Sequence, residues 1–549
     1  MRQESMVFRG SFARPSGRFA RASGLALAVG LGSSFVAASS AAPAPYAPIR
    51  TPLAVAPPPL VQQLEVSWLH VGEPQSELFA LADVSALLPV ANSVSIAVPP
   101  ASGGFDIAEA LIGEEQRAFA AALDLWTGAA RGVEQRARRK AVAAFYAQRA
   151  YAPLWRDGAV WRASAPAAIE RLSRARDDGL DLRGVAYPSE TRLGGDADEL
   201  ALSEAVVAYA TQASGGRLDP RRLSRLIGAH PALPEPGAAL GAIAAAGPRA
   251  GDMLQDYNPP HEGYRALRAK LVELRSAGLP ELDRRFAEAS HSVAHDAAPG
   301  REAPSAPARR SNALVEAEII ANMERWRWLP RDLGESRIEV NIPDFELAVV
   351  REGRVMHRAR VIVGKEGTPT PVFSDRMQFI IVNPYWNVPP SILTKEMLPK
   401  YGGNLGAIAA SGYEVLTRKG QTFVRQKPGE SNALGRIKFM FPNDFSVYLH
   451  DTPNHALFSS AHRALSHGCV RVDQPFRLAE AVLGPGSGWP EERVRKLVGA
   501  SERYINLARP LPIHIEYFTA FVDENGRLQL RGDLYGYSAK VRQALGLEG

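Results

Sequence analysis

A change of sequence texture near residue 300 constrains the fold of this chain more than any other feature. From residue 105 to 285 apolar residues recur at three-to-four-residue spacing, as in Ile112–Leu125 and Ala141–Tyr151, which predicts helices. Residues 286–312 are rich in Ala, Ser, Pro and Arg without periodicity, and they predict a linker. Short alternating runs follow from residue 313 to 549 and predict strands. The sequence therefore predicts an α+β multidomain protein, with a mostly α domain followed by a β-rich domain.

The β-rich part has a clear hairpin signal. Glu352 and Gly353 separate two apolar runs, Glu346–Arg351 and Val355–Val363, and a Gly-containing two-residue loop favours a tight turn. The other predicted strands are Arg337–Ile342, Gln378–Asn383, Ser446–His450, Ile513–Phe521 and Leu528–Arg531. Helices are predicted at Ala313–Trp328, Pro475–Val482 and Pro490–Leu497. In the helical domain, the aromatic residues at helical spacing are predicted to be core rather than a glycan groove: Phe145, Tyr146, Tyr151 and Trp155.

The N-terminal region has the pattern of an export signal. Arginines precede an apolar run at Leu25–Val36, and small residues follow it, so residues 1–42 are predicted to be a signal peptide that is cleaved. The apolar run is shorter than the roughly 20 residues that a membrane-spanning helix needs. Residues 43–104 begin with repeated prolines and are predicted to be a tether followed by an unassigned segment. We therefore expect a periplasmic protein without a transmembrane segment after cleavage.

Export makes the single cysteine informative. Secreted proteins usually pair their cysteines, but Cys469 has no partner in this chain and cannot form an internal disulfide. The net charge of +6 suits an acidic partner such as cell-wall carboxylates, and export argues against nucleic acid. A free cysteine is most often a small buried apolar residue, so the surrounding residues have to decide whether it is reactive.

Four of the eleven histidines lie between residues 450 and 471, around Cys469. A thiol needs a base to become a nucleophile, and His450 is the better candidate because it ends a predicted strand, whereas His467 is two residues from the cysteine. Gly468 lets the backbone approach a substrate, and the amides near 468 and 469 are candidate oxyanion donors. A zinc site is the alternative, but no Cys-x-x-Cys or His-Glu-x-x-His spacing occurs. No metal or other cofactor is therefore predicted. A histidine cluster with a purely structural role remains an alternative.

Two segments carry a resemblance to a known family. Tyr448–Pro453 (YLHDTP) followed by Arg463–Arg471 (RALSHGCVR) resembles the signature of the YkuD-type L,D-transpeptidase catalytic domain. Asn383–Pro390 and Asn432–Asn443 are similar to the larger Gram-negative branch of that family, which has a helical scaffold domain. Tyr151–Trp155 in the helical part is similar to that scaffold.

The resemblance implies a reaction and a set of residues. Cys469 would attack the carbonyl between diaminopimelate and the terminal D-alanine of a tetrapeptide stem, His450 would take the thiol proton, and a neighbouring stem amine would complete a 3→3 crosslink. An orienting or oxyanion role is expected for Asp451, Ser466, His467 and Gly468. Donor-stem contacts are expected for Arg471, Arg463, Tyr448 and Trp386. In this branch, the residues that correspond to 390–438 form a lid over the active site.

Alternatives to this function remain open at the level of sequence. Water as the acceptor would make the same Cys–His pair an L,D-carboxypeptidase or a wall endopeptidase, and a degenerate site would leave a wall-binding structural protein. Peptidoglycan stems are the expected partners, and cell-wall synthesis proteins are candidate partners through the scaffold domain. Members of the branch often carry a peptidoglycan-binding module between scaffold and catalytic domains, where this chain has only the linker, so we predict weak intrinsic affinity for sacculi.

Overall fold

The computed structural model describes residues 113–189, 195–277, 312–418, 420–499 and 501–547. The predicted signal peptide, the tether with the unassigned segment, and the predicted linker apart from its last residue lie outside these ranges. The described residues all belong to one compact unit that begins at Pro100. Among the helices of these ranges, none is both long enough and apolar enough to cross a membrane.

The N-terminal part is helical, as the periodicity predicts. Its helices are α1 (Glu114–Gly128), α2 (Gly132–Gln148), α3 (Ser164–Ser173), α4 (Asp196–Gly215), α5 (Pro236–Ala245), α6 (Ala250–Gln255) and α7 (Glu262–Ala277), with a short hairpin of β1 (Arg156–Asp157) and β2 (Val160–Trp161) between α2 and α3. The predicted core aromatics are confirmed, because Tyr146 and Trp155 are fully buried and Phe145 and Tyr151 pack against the same cluster.

The C-terminal part is β-rich. It begins with α8 (Asn312–Trp326), followed by β3 (Arg337–Asn341), β4 (Glu346–Arg351), β5 (Arg354–Gly364), β6 (Phe373–Val382), β7 (Trp386–Asn387), β8 (Tyr413–Arg418), β9 (Gln421–Gln426), β10 (Ile437–Met440), β11 (Leu449–His450), β12 (Ala464–Ser466), β13 (Val470–Val472), β14 (Arg503–Glu516), β15 (Ala520–Val522) and β16 (Leu528–Leu530). Its other helical segments are Pro390–Ile392, Leu393–Met397, Leu398–Lys400, Leu405–Ala410, Pro475–Leu483, Glu491–Arg495 and Tyr537–Ala544. The α+β class is thus confirmed, with a helical part followed by a β-rich one.

Nine strands form one sheet in the order β12-β5-β13-β11-β10-β6-β14-β3-β4. Because β4 also pairs with β5 at the other end of this order, the sheet closes into a barrel-like form. The predicted hairpin at Glu352 and Gly353 is confirmed, and both residues have positive φ, as a type I′ turn requires. Two predicted strands differ from the structure: the one expected at 446–450 is only Leu449–His450, and the one expected at 513–521 is divided between β14 and β15.

An inserted subdomain follows β6. Strands β7, β8 and β9 form a separate three-stranded sheet, and short helices between Pro390 and Ala410 pack on it. Val388, Met397, Ile408 and Val424 make up its own buried cluster. The sequence-based lid ended at residue 438, but Ile437 and Lys438 already belong to β10 of the main sheet. Strand β10 ends the insertion because its residues pair with β6 on one side and β11 on the other.

Helix α8 joins the helical and β-rich parts. Arg327, just after this helix, is 2% exposed and its Nη2 donates to the Tyr264 hydroxyl at 3.0 Å. The fully buried Glu324 carboxylate accepts backbone N–H bonds from Arg217 and Leu218. Since a buried charge is costly unless it is paired and hydrogen-bonded, these contacts fix the helical part against the β-rich part.

Candidate active site

Cys469 lies in the turn between β12 and β13, and side-chain hydrogen bonds hold that turn on both sides. The Ser466 hydroxyl donates to the Cys469 carbonyl at 2.5 Å and accepts the Gly468 N–H at 3.1 Å. Gly468 has a φ of +114°, which favours glycine because other residues rarely adopt it. The predicted orienting role of Ser466 and Gly468 therefore corresponds to a fixed backbone next to the thiol.

Thr370 also holds this turn, although no sequence pattern predicts a role for it. Its hydroxyl donates to the Gly468 carbonyl at 2.8 Å and accepts the Gly364 N–H at 2.8 Å, and the residue is fully buried. Thr370 is 99 positions from Cys469, so no local pattern signals the contact. Only the pairing of β12 with the end of β5 brings the two segments together.

The oxyanion donors differ from the prediction. Both amides near 468 and 469 were expected to be free, but the Gly468 N–H already donates to Ser466 Oγ. Within the described ranges we find no acceptor for the Cys469 N–H. The Cys469 amide is therefore the backbone donor that this turn leaves for a developing oxyanion.

His450 ends β11, directly beside the strand that follows Cys469. Strands β11 and β13 are parallel, with Leu449 opposite Val470 and His450 opposite Arg471. Leu449 and Val470 point into the core and are fully buried. Because side chains alternate along strands, His450 and Cys469 flank this core pair on the other face of the sheet.

The imidazole of His450 has one defined tautomer. Its Nδ1 lies 2.6 Å from the Asp451 backbone carbonyl, which can only accept, so Nδ1 carries the proton and Nε2 carries the lone pair. His450 is 5% exposed, and burial, followed by the neighbouring Arg471 cation, lowers its pKa to about 3. The resting imidazole is therefore neutral and able to accept a proton through Nε2.

Asp451 orients His450 through its backbone and not through its carboxylate. The carboxylate accepts the N–H groups of Arg436 at 2.8 Å and Thr452 at 2.7 Å, and its Oδ1 lies 3.4 Å from His455 Nε2. Gly435 has positive φ, and a Cβ there would lie 2.4 Å from the Asp451 carboxylate. The Asp451 side chain thus fixes the start of β10 and the loop after His450, on which the imidazole depends.

The thiol of Cys469 is half-buried, with two cations nearby. Burial raises its pKa, while hydrogen bonding with Tyr448 and the charges of Lys438 and Arg471 act in the opposite direction. The thiol therefore rests in its neutral form, and groups that stabilise the thiolate surround it. Lys438 and Arg471 pair with His450 from either side in the sheet, on β10 and β13.

The four predicted donor-stem residues fall into two groups. Tyr448 and Arg471 lie beside the thiol, and the buried Nε of Arg471 has no hydrogen-bond partner within the described ranges. Arg463, the third expected donor-stem contact, donates from its guanidinium to the backbone carbonyls of Val361, Ser460 and Phe345. The Trp386 ring packs on the core of the inserted subdomain, 6.3 Å from the ring of Tyr413.

His467 connects the nucleophile turn to the inserted subdomain. Its Nε2 lies 2.8 Å from Glu396 Oε1, on the π-helical turn Leu393–Met397. Both side chains are partly exposed, at 35% and 50%. His467 thus contacts the inserted subdomain, and its position in the sequence gave no means of predicting this contact.

A thiol and a neutral imidazole on one face of a barrel-like β domain are the groups that a cysteine-nucleophile acyl-transfer enzyme requires. Residues 335–499 match the L,D-transpeptidase catalytic domain (YkuD) family model, and residues 140–271 match the Scaffold domain family model. Residues 335–499 are therefore an L,D-transpeptidase catalytic domain of the YkuD family, and a scaffold domain at residues 140–271 precedes it.

Relatives of this chain carry the same family name. A putative L,D-transpeptidase of Haemophilus influenzae is 34% identical over 249 residues, which are 42% of this chain and 50% of that protein. The chain thus spans about half the length of this curated relative. An L,D-transpeptidase structure from Mycobacterium smegmatis is 14% identical with a TM-score of 0.18, covering 33% of this chain and 58% of that one. L,D-transpeptidase 1 of Mycobacterium tuberculosis is 12% identical with a TM-score of 0.15, covering 33% and 60%.

Proposed function

We propose that this protein is a peptidoglycan L,D-transpeptidase that forms 3→3 crosslinks through a Cys469 thioester. The observation that carries the proposal is the placement of a half-buried thiol and a neutral, carbonyl-anchored imidazole on one face of the sheet. The family match of residues 335–499 supports the substrate class.

The first half-reaction would load the donor stem. His450 Nε2 takes the thiol proton as Cys469 Sγ forms a bond to the carbonyl carbon between diaminopimelate and the terminal D-alanine. The Cys469 N–H donates to the resulting oxyanion. When the carbon–nitrogen bond breaks, His450 returns the proton to the leaving D-alanine amine, and the stem remains as a thioester.

The second half-reaction would transfer the stem. The side-chain amine of diaminopimelate on a neighbouring stem attacks the thioester carbonyl, and the carbon–sulfur bond breaks. His450 takes a proton from the attacking amine and gives it to the departing sulfur. With water in place of the amine, the same steps would release a tripeptide stem, which is the L,D-carboxypeptidase alternative.

The proposal also includes a cell compartment. Peptidoglycan stems are exposed outside the cytoplasmic membrane, and the arginine-rich, apolar N-terminus fits export to the periplasm. The substrate partners would be donor and acceptor stems. Cell-wall synthesis proteins are proposed as further partners through the scaffold domain.

The proposal is tested by incubating the purified protein with disaccharide-tetrapeptides and analysing the products by liquid chromatography and mass spectrometry. We expect D-alanine release and new 3→3 dimers, and neither with Cys469→Ala. Tripeptides without dimers would favour the carboxypeptidase, and cleavage of existing crosslinks in sacculi would favour the endopeptidase. Thermal unfolding of Cys469→Ala like that of the parent protein excludes misfolding as the cause.

A second measurement addresses the nucleophile directly. A carbapenem contains a strained acyl bond that a reactive thiol opens, so we propose that exposure adds the mass of one carbapenem to the intact protein. The Cys469→Ala protein should keep its mass. An unchanged mass of the parent protein would contradict the proposed nucleophile, whatever the acceptor is.

A further inference from the structure

Lys438 is the charged residue at the site that neither the sequence analysis nor the reaction scheme uses. It lies on β10 directly opposite His450 in the antiparallel pairing with β11, and its other neighbour in the sheet is Ile381 on β6. Paired residues share a face of the sheet, so Lys438 lies on the face of His450 and Arg471. Its neighbours in the strand, Ile437 and Phe439, are fully buried on the opposite face.

The ammonium group of Lys438 has a defined position. Its Nζ lies 3.7 Å from the centroid of the Tyr448 ring, within the range of a cation–π contact. Within the described ranges, no carboxylate forms an ion pair with this Nζ, and Glu502 is the acidic group that acts on it through space. A partly buried ammonium without a salt bridge is costly to keep, which suggests that its charge serves a purpose at this position.

Tyr448 connects Lys438 to the nucleophile. Burial and the neighbouring Cys469 thiol raise the pKa of the Tyr448 phenol, and the Tyr448 backbone carbonyl accepts the Val470 N–H at 3.2 Å. The ring therefore has the cation on one side and the sulfur at its hydroxyl end. The titratable and charged groups that act on the sulfur are Tyr448, Lys438 on β10 and Arg471 on β13. Arg471 and Lys438 also act on His450, which follows Leu449 on β11.

We propose that Lys438 is a positioning residue that holds the Tyr448 phenol against Cys469 and, through its charge, stabilises the thiolate that attacks the substrate. This inference rests on the proposed function, because it assigns a role in forming the same nucleophile. Burial lowers the pKa of Lys438 to about 8, and Cys469 acts to raise it, as expected for a cation and a sulfur that stabilise each other's charged forms. A cation beside a developing thiolate lowers the cost of removing the thiol proton.

A purely structural role is the alternative. Lysine–tyrosine contacts occur elsewhere in this chain, for example between Lys540 and Tyr537, where Nζ lies 5.6 Å from the ring centroid. Lys540 is exposed and far from the nucleophile in the chain, on the helix Tyr537–Ala544. It is therefore a matched control for removing a lysine from a tyrosine ring without touching the site.

The experiment measures the pH dependence of Cys469 alkylation by iodoacetamide, followed by intact mass. Only the thiolate reacts, so the profile gives the apparent thiol pKa without any peptidoglycan substrate. We expect Lys438→Met to raise that pKa by about one unit, and thus to slow alkylation roughly tenfold below it. Lys438→Arg should restore most of the parent profile, and Lys540→Met should leave it unchanged.

Two further variants keep the test decisive. Tyr448→Phe removes the hydroxyl and should also raise the thiol pKa, and combining it with Lys438→Met should give less than the sum of the two shifts, because the residues act as a unit. If Lys438→Met does not fold, Tyr448→Phe alone carries the test. A thiol pKa equal to that of the parent in the folded variant, or an equal shift in Lys438→Met and Lys438→Arg, would overturn the proposal.

The outcome is separable from that of the proposed function. A shifted thiol pKa in a protein that makes no crosslinks would leave the role of Lys438 standing and remove the transpeptidase. If Lys438→Met still makes crosslinks and its thiol pKa equals that of the parent protein, the role of Lys438 is removed and the transpeptidase stands.

Discussion

Replacing Thr370 by valine tests whether the nucleophile turn depends on a residue far away in the sequence. Valine has nearly the same shape as threonine but lacks the hydroxyl. The change removes the bond to the Gly468 carbonyl and the bond from the Gly364 N–H, both 2.8 Å long and buried. One backbone carbonyl and one backbone amide are then left with fewer partners, directly below Cys469.

The magnitude follows from these two bonds. Each neutral hydrogen bond contributes about 1 kcal/mol net, and a buried group left without a partner costs about 1–3 kcal/mol. We therefore expect Thr370→Val to lower the free energy of unfolding by about 2–4 kcal/mol. For a domain of roughly 150–250 residues, this lowers the melting temperature by about 5–15 °C. The rate of D-alanine release should also fall, because the Thr370 hydroxyl no longer holds the Gly468 carbonyl in the turn that carries the Cys469 amide.

Thermal unfolding followed by circular dichroism measures the first effect, and D-alanine release at a temperature where both proteins are folded measures the second. Thr127→Val is the matched control. The Thr127 hydroxyl is buried and has no hydrogen-bond partner among the residues that the structure describes, so its removal should be neutral or slightly stabilising. If Thr370→Val changes the melting temperature no more than Thr127→Val does, the hydroxyl does not support the turn.

Four further predictions concern the site and the linker. The pKa of His450, lowered to about 3 by burial and Arg471, predicts that D-alanine release has no acid limb near pH 6.5, and a limb at that pH would contradict a neutral imidazole. Below about pH 6.5 the unfolded chain takes up a proton on His450 while the folded chain does not. The contribution of His450 to the free energy of unfolding is therefore complete above that pH and is lost as the pH falls toward 3, which denaturant unfolding across this range would measure. Glu396→Gln removes the carboxylate charge opposite His467 and should speed limited proteolysis of the inserted subdomain about two- to fivefold relative to a Lys395→Gln control. Equal cleavage rates would show that this contact does not hold the inserted subdomain against the nucleophile turn. Finally, the linker at 286–312 predicts that Cys469→Ala protein pellets only weakly with purified sacculi, and tight pelleting would show that another surface docks on the wall.

The sequence alone carried the main features of the fold. The helical spacing before residue 285 and the alternating runs after residue 313 predicted the order of the two parts, because both periodicities are set by local backbone geometry. The turn at Glu352 and Gly353 was predictable for the same reason, since only a few residues tolerate positive φ. Cys469 and His450 were recognisable because they lie 19 positions apart in one short, histidine-rich segment.

Tertiary structure alone decided how the site is assembled. The strand expected at 446–450 is only two residues long, and Ser446, just before it, has a φ of +54°, which no residue pattern indicated. Whether Asp451 uses its carbonyl or its carboxylate depends on Arg436 and Thr452, which occupy the carboxylate. Likewise, the Arg463 guanidinium is held by backbone carbonyls more than 100 positions away in the chain.

Lys438 and Thr370 illustrate the physical limit. Neither differs from an ordinary strand lysine or loop threonine in its local sequence, yet one lies opposite His450 and the other supports Gly468. Both positions are set by the register of strands distant in the chain, which depends on how the whole sheet buries one face. The nucleophile and its base can therefore be identified from the chain's local chemistry, whereas the groups that tune them become visible only when the sheet has closed.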